Sequence, residues 1–432
     1  MSTLVDFKIL DTKYKQVAVI DKYESIIWTD RYNSAGDFEI FLPVETGLLK
    51  SCLKNYYVWN SISEHTMIIE EIEIDSSVEK GNKLAVRGRS LESILERRIV
   101  WDKVIFQDTP IQTAIQRLLN ESIIHPSISD RKIDNFIYVP TEDERITEIT
   151  ISGEYEGTDL LEVITNICNE NDVGFKIYFD ENWNFNFTLY TGYDRTYDQS
   201  LNPYVIFSPK FENLVSSEYF DSYQNLKTVT LVVGEQYSSE EGSPYEGWEQ
   251  ADIPHKTVTV GGGRGIHRRE LYTQASDITS QTDEEDEEGK PIHMPDWQYF
   301  ELLRQRGNEE LATYRVTEKF QGELEAVNTF QYGKDFYIGD IVQIQNEYEI
   351  QGIVRVMEVI QSHDTSGYSL YPTFESRNDY GVSDYEQFEN LPSINGVELI
   401  ENVTMEDLGK INITNDELTE LIDTQYNNVF NT

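Results

Sequence analysis

The chain has 432 residues, enough for about three domains, and 78 Asp and Glu against 35 Lys and Arg give a formal charge of −43. Aromatic residues make up 12%, with 27 Tyr and 19 Phe, a content that a disordered acidic chain lacks. The charge argues against a protein that grips nucleic acid or an anionic membrane, because both tasks need clustered Lys and Arg.

Met1–Asp6 has no basic region ahead of an apolar run, so no signal peptide is expected. No stretch approaches ~18 consecutive apolar residues, so no transmembrane helix is expected either. Cys52 and Cys168 cannot make a disulfide framework and read as thiols of a reducing cytosol.

Residues 1–100 read as β. Val17–Ile20, Ser25–Trp28 and Phe38–Leu42 are β-prone runs, with turn chemistry at Asn33–Asp37. Glu71–Asp75 and Lys83–Gly88 flank a loop containing Gly81, which makes a hairpin. Five or six strands in this length predict a small antiparallel barrel or sandwich.

Over 101–205 the period changes. Thr109 is the expected N-cap and Pro110 the first residue of a helix carrying Ile111, Ala114, Ile115, Leu118 and Leu119 on one face. A second helix is predicted from Thr158, with Leu160, Leu161, Ile164, Ile167 and Cys168 inward, stopping near Gly174. Phe175, Ile177 and Phe179, then Trp183, Phe185, Phe187 and Leu189, alternate about a turn at Asp180–Asn182 and predict a hairpin.

From 206 the β pattern returns, with Thr228–Val233 as one strand. Periodicity is lost over 237–295, and a helix is predicted from Asp296 to about Lys319. Asp340–Ile344 and Gly352–Ile360 are further strands, so the simplest reading is one β domain split by an insertion. Residues 381–432 hold eleven acids and the single base Lys410, which reads as a tail. No short fixed-period repeat is present, yet the regions near 1–100 and 206–378 share a pattern. Two such regions per chain would let three copies build a pseudo-sixfold ring.

Catalytic signatures are wanting. His65, His125, His255, His267, His293 and His363 are scattered, and there is neither His-Glu-x-x-His nor Cys-x-x-Cys. Gly261–Gly265 lacks the Lys-Ser/Thr of a phosphate loop and reads as a flexible loop. An EF-hand begun at Asp283 would need Gly where Glu288 stands and Glu where Met294 stands, so the acidic run reads as solvated. With 78 acids, carboxylate pairs arise by chance and nominate no dyad. No catalytic residue, metal site or cofactor is expected, and the chain is not read as an enzyme. Trp28 and Trp183 read as core or subunit contacts rather than sugar platforms.

Several stretches, taken in order, resemble one family. Ile26–Tyr32 with Ala35–Ile40, then Ile69–Glu73, Arg87–Leu91 and Ile94–Val100, are similar to tail-tip hub proteins of bacteriophages with long non-contractile tails. Tyr337–Val342 and Gly367–Glu375 continue the likeness, and Ile394–Ile400 with Asp407–Gly409 resembles a short tail-module segment.

The resemblance implies a mainly β, α+β fold similar to the contractile-tail baseplate hub. It has two tube-protein-like antiparallel β-barrel domains, two smaller peripheral α+β domains and an acidic C-terminal tail. On this sequence the barrels fall at 1–100 and at 206–236 plus 320–378, the peripheral domains at 101–205 and 237–319, and the tail at 379–432. It further implies a virion protein made in the host cytoplasm and placed at the distal end of the tail. A homotrimer would join the sixfold tube to a threefold tip, close the tube, and open for DNA passage without specific DNA binding or membrane insertion. The implied partners are the distal tail ring protein, the tape-measure protein and receptor-binding or tip proteins. Longer members carry a C-terminal hydrolase or fibre; an acidic stretch of about fifty residues follows the hub region here, so no lytic activity is expected. Two other readings of the residues stand beside this one: a host-surface saccharide binder with aromatic pockets in 237–319, and a cell-wall hydrolase with dispersed carboxylates.

Overall fold

Short β-prone runs build the first seven strands, and period-two alternation is cleanest in two of them. In the strand Asp37–Pro43, Phe38, Ile40 and Leu42 are buried while the residues between them are half-exposed, the pattern of a sheet with one covered face. The computed structural model describes residues 7–376 apart from 45–48, 61–62, 78–80, 240–242, 286–290, 315–316, 325–329, 349 and 365–366, together with 393–394 and 397–398. The fold is α+β and mainly β. Its first strands are β1 (Phe7–Leu10), β2 (Gln16–Ile20), β3 (Ser25–Arg31), β4 (Asp37–Pro43), β5 (Tyr57–Asn60), β6 (Met67–Ser77) and β7 (Gly81–Ser90). Trp28, Phe38, Ile40, Val58, Met67 and Val86 meet in one apolar cluster beneath them.

The next stretch holds β8 (Val104–Pro110), helix α1 (Ile111–Leu119), β9 (Phe136–Tyr138), β10 (Thr150–Tyr155), helix α2 (Leu160–Glu170), β11 (Gly174–Phe179) and β12 (Phe185–Tyr190). Thr109 is not the cap of α1. It and Pro110 are still paired with Ile151 and Thr150 of β10, so the ladder holds them extended and the helix starts one residue later. No side chain caps α1. A missing cap costs about 1 kcal/mol, whereas burying each large apolar side chain contributes roughly 1.5–3 kcal/mol. The buried face Ile111, Ala114, Ile115, Leu118 and Leu119 therefore decides the helix. In α2, Asp159 Oδ1 accepts from the amides of Leu161 (2.9 Å) and Glu162 (3.1 Å), a regular N-cap. The predicted hairpin is β11–β12, but Trp183 sits in its turn at φ 62° rather than in the strand.

Strands β13 (Ile206–Phe207) and β14 (Leu214–Ser222) come next, followed by β15 (Val229–Gln236), β16 (His255–Gly261), β17 (Glu270–Gln274), β18 (Gln281–Glu285) and β19 (Pro291–His293). The expectation placed the strand at Thr228–Val233 with the second β region. Its ladder partners are instead β16, antiparallel, and β17, parallel, in a sheet of their own. Helix α3 (Asp296–Thr313) covers that sheet with Tyr299, Leu302 and Leu303. It ends before Lys319 because Thr317–Leu324 is a strand, β20, whose Phe320 is buried opposite Phe374. Strands β21 (Ile341–Gln345), β22 (Gln351–Asp364) and β23 (Gly367–Ser376) complete this part.

The main sheet has 13 strands in the order β14-β20-β23-β22-β3-β4-β7-β6-β5-β1-β2, with β21 on β22 and β13 on β21. This order contains one pattern twice. The run β3-β4-β7-β6-β5 is matched by β14-β20-β23-β22-β21. The irregularities match as well: β6 bulges between Ile69 and Glu71 opposite Gly88, and β22 bulges between Val356 and Glu358 opposite Phe374. The two half-sheets are continuous because β22, after its bulge, pairs with β3. Residues 379–432 form a second unit, whose described residues are the antiparallel pair Ser393–Ile394 and Val397–Glu398. The tail reading otherwise lies outside the described residues.

Candidate functional site

The seam between the half-sheets is where the chemistry of this chain concentrates. Glu358 to His363 of β22 run antiparallel to Arg31 to Ile26 of β3. At one end Arg31 bridges Glu358 (2.7 Å) and Asp37 (2.6 Å), and at the other the Tyr23 hydroxyl is hydrogen bonded to His363 Nδ1.

Between them lies Asp30, fully buried. Trp28 Nε1 (2.9 Å) and Ser63 Oγ (2.7 Å) donate to its Oδ1, and the Tyr332 hydroxyl (2.8 Å) and Gln361 Nε2 (3.3 Å) donate to its Oδ2. Two donors come from each half. A buried carboxylate is tolerable only when its lone pairs are filled in this way.

Next to it stands Tyr32, buried, with the Arg355 guanidinium 4.8 Å from its ring centroid and its hydroxyl donating to the carbonyl of Asp172 (3.1 Å). Arg355 also donates to the Gly339 carbonyl (2.6 Å) and bridges the Asp172 carboxylate (2.9 Å). Burial raises the Tyr32 hydroxyl well above its ordinary pKa, so it stays a donor. Gly174 and Gly339 let the backbone approach this ring; Gly339 is at φ +87°, and a Cβ there would stand 2.5 Å from Tyr32 Cε2. Gly339→Ala is therefore expected to cost about 2 kcal/mol in chemical denaturation.

Asp340 follows directly, accepting from Arg195 Nε (2.5 Å) and from the amides of Tyr193 (2.8 Å) and Tyr337 (3.0 Å). Burial lifts its carboxyl above the usual range against these donors. A second buried pair ties the 101–190 stretch to the first half-sheet. His65 Nδ1 lies 3.2 Å from Glu92 Oε1, which also accepts from the Ile177 amide at 2.7 Å. Burial works against the His65 charge, but the Glu92 carboxylate overrides it and raises His65 to about 9.

The groups singled out in the sequence do not converge. His255 binds the Gly234 carbonyl (2.7 Å) and His293 the Ser280 hydroxyl (2.8 Å), each far from the seam. Among the described residues no three His, Cys, Asp or Glu side chains are placed to hold a metal ion. Cys52 and Cys168 are free and buried, and burial pushes Cys52 up to about 11 and Cys168 higher still. Gly261–Gly265 ends β16 and runs into a 3-10 turn at Gly265–His267, and Gly261 takes φ +82° where a Cβ would strike the Thr228 carbonyl. Asp283–Glu285 belongs to β18, and Glu288 lies outside the described residues. Trp28 is core, whereas Trp183 is part-exposed and stacked on Tyr14 at 5.3 Å. In the inserted part, the Tyr245 ring lies 5.3 Å from both Tyr237 and Trp248. Among the described residues no helix is long and apolar enough to cross a membrane.

Asp30, Tyr32, Gly339 and Asp340 lie within the family-like stretches of the sequence, where no motif gives them a role. The signal was there: an acid inside the apolar run before Tyr32, and Gly-Asp before a strand.

The sequence model of the siphovirus ReqiPepy6 Gp37-like proteins matches residues 6–374. The chain belongs to this family. No curated protein sequence matches the Gp37-like chain. Among solved structures it is similar to the 43 kDa tail protein of prophage MuSo2 from Shewanella oneidensis, at 10% identity and TM-score 0.51, covering 86% of this chain and 97% of that one. The tail protein of Neisseria meningitidis MC58 gives the same identity, TM-score and coverage. The prophage tail protein gp18 of Listeria monocytogenes EGD-e is 12% identical, with TM-score 0.49 over 88% of this chain and 98% of that one. The Gp37-like chain thus has the fold of prophage tail proteins.

Proposed function

We propose that the chain is a structural protein of the phage tail, a homotrimeric hub at the distal end that closes the tube and opens for DNA. The observation that carries this is the strand order occurring twice in one sheet, which offers two equivalent units per chain. Three copies then present six such units, the number needed to meet a sixfold tube while leaving a threefold tip. Family membership and the fold of prophage tail proteins support the tail assignment. The two barrel-like units correspond to the two half-sheets, and the stretches 101–205 and 237–319, joined by β15, form the periphery.

The solvent face of the half-sheets supports the passage of DNA without adhesion. Asp37, Glu39, Glu71, Glu73, Asp75, Glu218, Glu323, Glu358 and Glu375 lie on it, against Arg31, Lys83, Arg87, Arg89 and Lys319, and Arg87 is itself held by Glu71 (2.6 Å) and Glu73 (2.7 Å). Such a lining repels phosphates only at short range, because salt screens beyond ~8 Å. The ring, tape-measure and receptor-binding proteins are the partners this reading names. Gold-labelled antibody on intact virions should mark a single focus at the tail tip; label along the tube or on the capsid contradicts the assignment.

The half-buried Tyr237 and Tyr245 beside the exposed Trp248 favour a second reading, in which the inserted part also binds host saccharide. Loss of binding to purified host wall in Tyr245→Ala/Trp248→Ala would support it, and unchanged or absent binding removes it.

A further inference from the structure

A pocket of about 430 Å³ opens where the first half-sheet meets the 101–190 stretch. Buried Ile68, Ile94 and Phe185 make its apolar floor, and Tyr14, Tyr57, Arg97 and Arg98 stand around it. Its volume is that of a small-molecule site, which spans about 300–1,000 Å³.

The charge of this pocket runs against that of the chain. With 78 acids to 35 bases, an arginine readily finds a carboxylate, as Arg87 does in Glu39, Glu71 and Glu73. Among the described residues no carboxylate pairs with Arg98 or with Arg131 behind it. Arg98 donates instead to the carbonyls of Arg131 and Arg97, each at 2.8 Å. Arg131 donates to the Ile99 carbonyl (2.6 Å) and lies over the Trp101 ring (5.1 Å). Arg97 reaches Glu70 at 3.7 Å, but Glu70 is already held by Arg89 at 2.8 Å. Burial and the charges of Arg131 and Arg97 hold the Arg98 guanidinium below its ordinary pKa, as expected of a cation cluster short of an anion. The acid in the lining, Asp134, is exposed and pairs with Lys132 (3.4 Å).

Backbone strain gathers at the same place. Among the described residues seven other than glycine have left-handed φ, and four of them are here. Tyr14 (61°) and Asn55 (67°) line the pocket, Asn135 (61°) follows Asp134, and Trp183 (62°) stacks on Tyr14. Such conformations are costly for bulky residues and collect at ligand sites.

We infer that this pocket binds a phosphate-bearing sugar, with the phosphate on Arg97 and Arg98 and the apolar face of the ring on Ile94 and Phe185. Guanidinium groups present forked donors that match phosphate oxygens. Tyr14 and Tyr57 bring phenols for the sugar hydroxyls, and burial pushes Tyr57 up to about 12, so it keeps its proton at neutral pH. A nucleobase fits less well, because the rings it would stack on are already engaged. Tyr14 stacks on Trp183 (5.3 Å) and on Tyr57 (5.6 Å), and Phe185 on Phe136 (6.3 Å). The site is distinct from the aromatic group of the inserted part and does not rest on the trimeric reading.

Isothermal titration calorimetry of the full chain tests the assignment, with glucose 6-phosphate as the probe. It should bind about tenfold more tightly than glucose, inorganic phosphate or AMP. Arg97 is exposed, so Arg97→Gln should leave the melting temperature unchanged. It should weaken glucose 6-phosphate about tenfold, the effect of losing one charge-assisted hydrogen bond. Arg117→Gln removes an arginine paired with Glu121 (2.7 Å) outside the pocket and should change nothing. The methyl phosphodiester of the same sugar separates the sources: if it binds too, the ligand is a chain-linked sugar phosphate, and if only the monoester binds, a free one. The assignment is overturned if neither ester binds, or if inorganic phosphate or AMP binds as tightly as glucose 6-phosphate. Equal affinity in Arg97→Gln and wild type overturns it as well.

Discussion

Asp30→Ala should lower the unfolding free energy by about 3–5 kcal/mol, among the largest single effects expected in this chain. The substitution leaves the donors of Trp28, Tyr332 and Gln361 with no acceptor, and leaves the Ser63 hydroxyl only the His65 carbonyl at 3.5 Å. Each orphaned buried polar group costs about 1–3 kcal/mol, and a new cavity admits water to only some of them. Asp30→Asn keeps the shape and one acceptor oxygen and should fall between wild type and alanine. Tyr332→Phe removes one donor and leaves the carboxylate three, so it should cost about 1–2 kcal/mol. Denaturant titration reads all three; an alanine effect below about 1 kcal/mol would show that the seam is not organised around this carboxylate.

The second large effect is a pH dependence at His65. In the unfolded chain this group titrates near 6.5, and in the fold at about 9, because the Glu92 carboxylate 3.2 Å away favours the charged ring. The fold therefore binds this proton more tightly than the unfolded chain does. The stabilisation is complete below about pH 6.5 and drains away as pH rises through 9, amounting to about 3 kcal/mol over that interval. Glu92 sets the acid limit. Burial opposes its charge, but His65 and its amide donor hold its pKa below the ordinary 4.5, so its contribution is present above that value and fades as pH falls below it. The difference in stability between pH 6 and pH 9.5 should shrink in His65→Gln, and Glu92→Gln should destabilise by about 3–5 kcal/mol at neutral pH. Equal pH slopes in wild type and His65→Gln would contradict the pairing.

The architecture was legible in the sequence wherever one face of an element is buried. Phe38, Ile40 and Leu42 in β4, the α1 face from Ile111 to Leu119, and Phe175, Ile177 and Phe187 in the β11–β12 hairpin all announce themselves by period. What the period does not carry is the partner. The apolar run at Val229–Val233 looks the same whichever sheet receives it, and only the ladder assigns β15 to β16 and β17.

The internal repeat was visible as a resemblance of patterns and no more. The short turn joining β3 to β4 is replaced between β14 and β20 by the whole inserted part, so no fixed spacing survives. Equivalent positions keep polarity more than identity: Trp28 answers to Tyr219 and Ile72 to Val359, beside the matched Leu84 and Leu370. The seam residues lay further from view. Asp30 meets Tyr332 and Gln361 across three hundred residues of chain, and His65 meets Glu92 through the β6–β7 hairpin. A charged residue in an apolar run marks such a position, but not the donors that satisfy it.

The charge of −43 takes on meaning through the sheet. Part of it belongs to the tail and to the inserted part, and part lies on the solvent face of the half-sheets, where Arg87 and Arg31 are already held by neighbouring carboxylates.

Electron microscopy of the purified protein, under conditions that favour assembly, tests the central claim most directly. The account predicts rings of three copies, sixfold in outline around an acidic lumen. Particles that form no ring in any condition, or a ring whose lumen is basic, would contradict it.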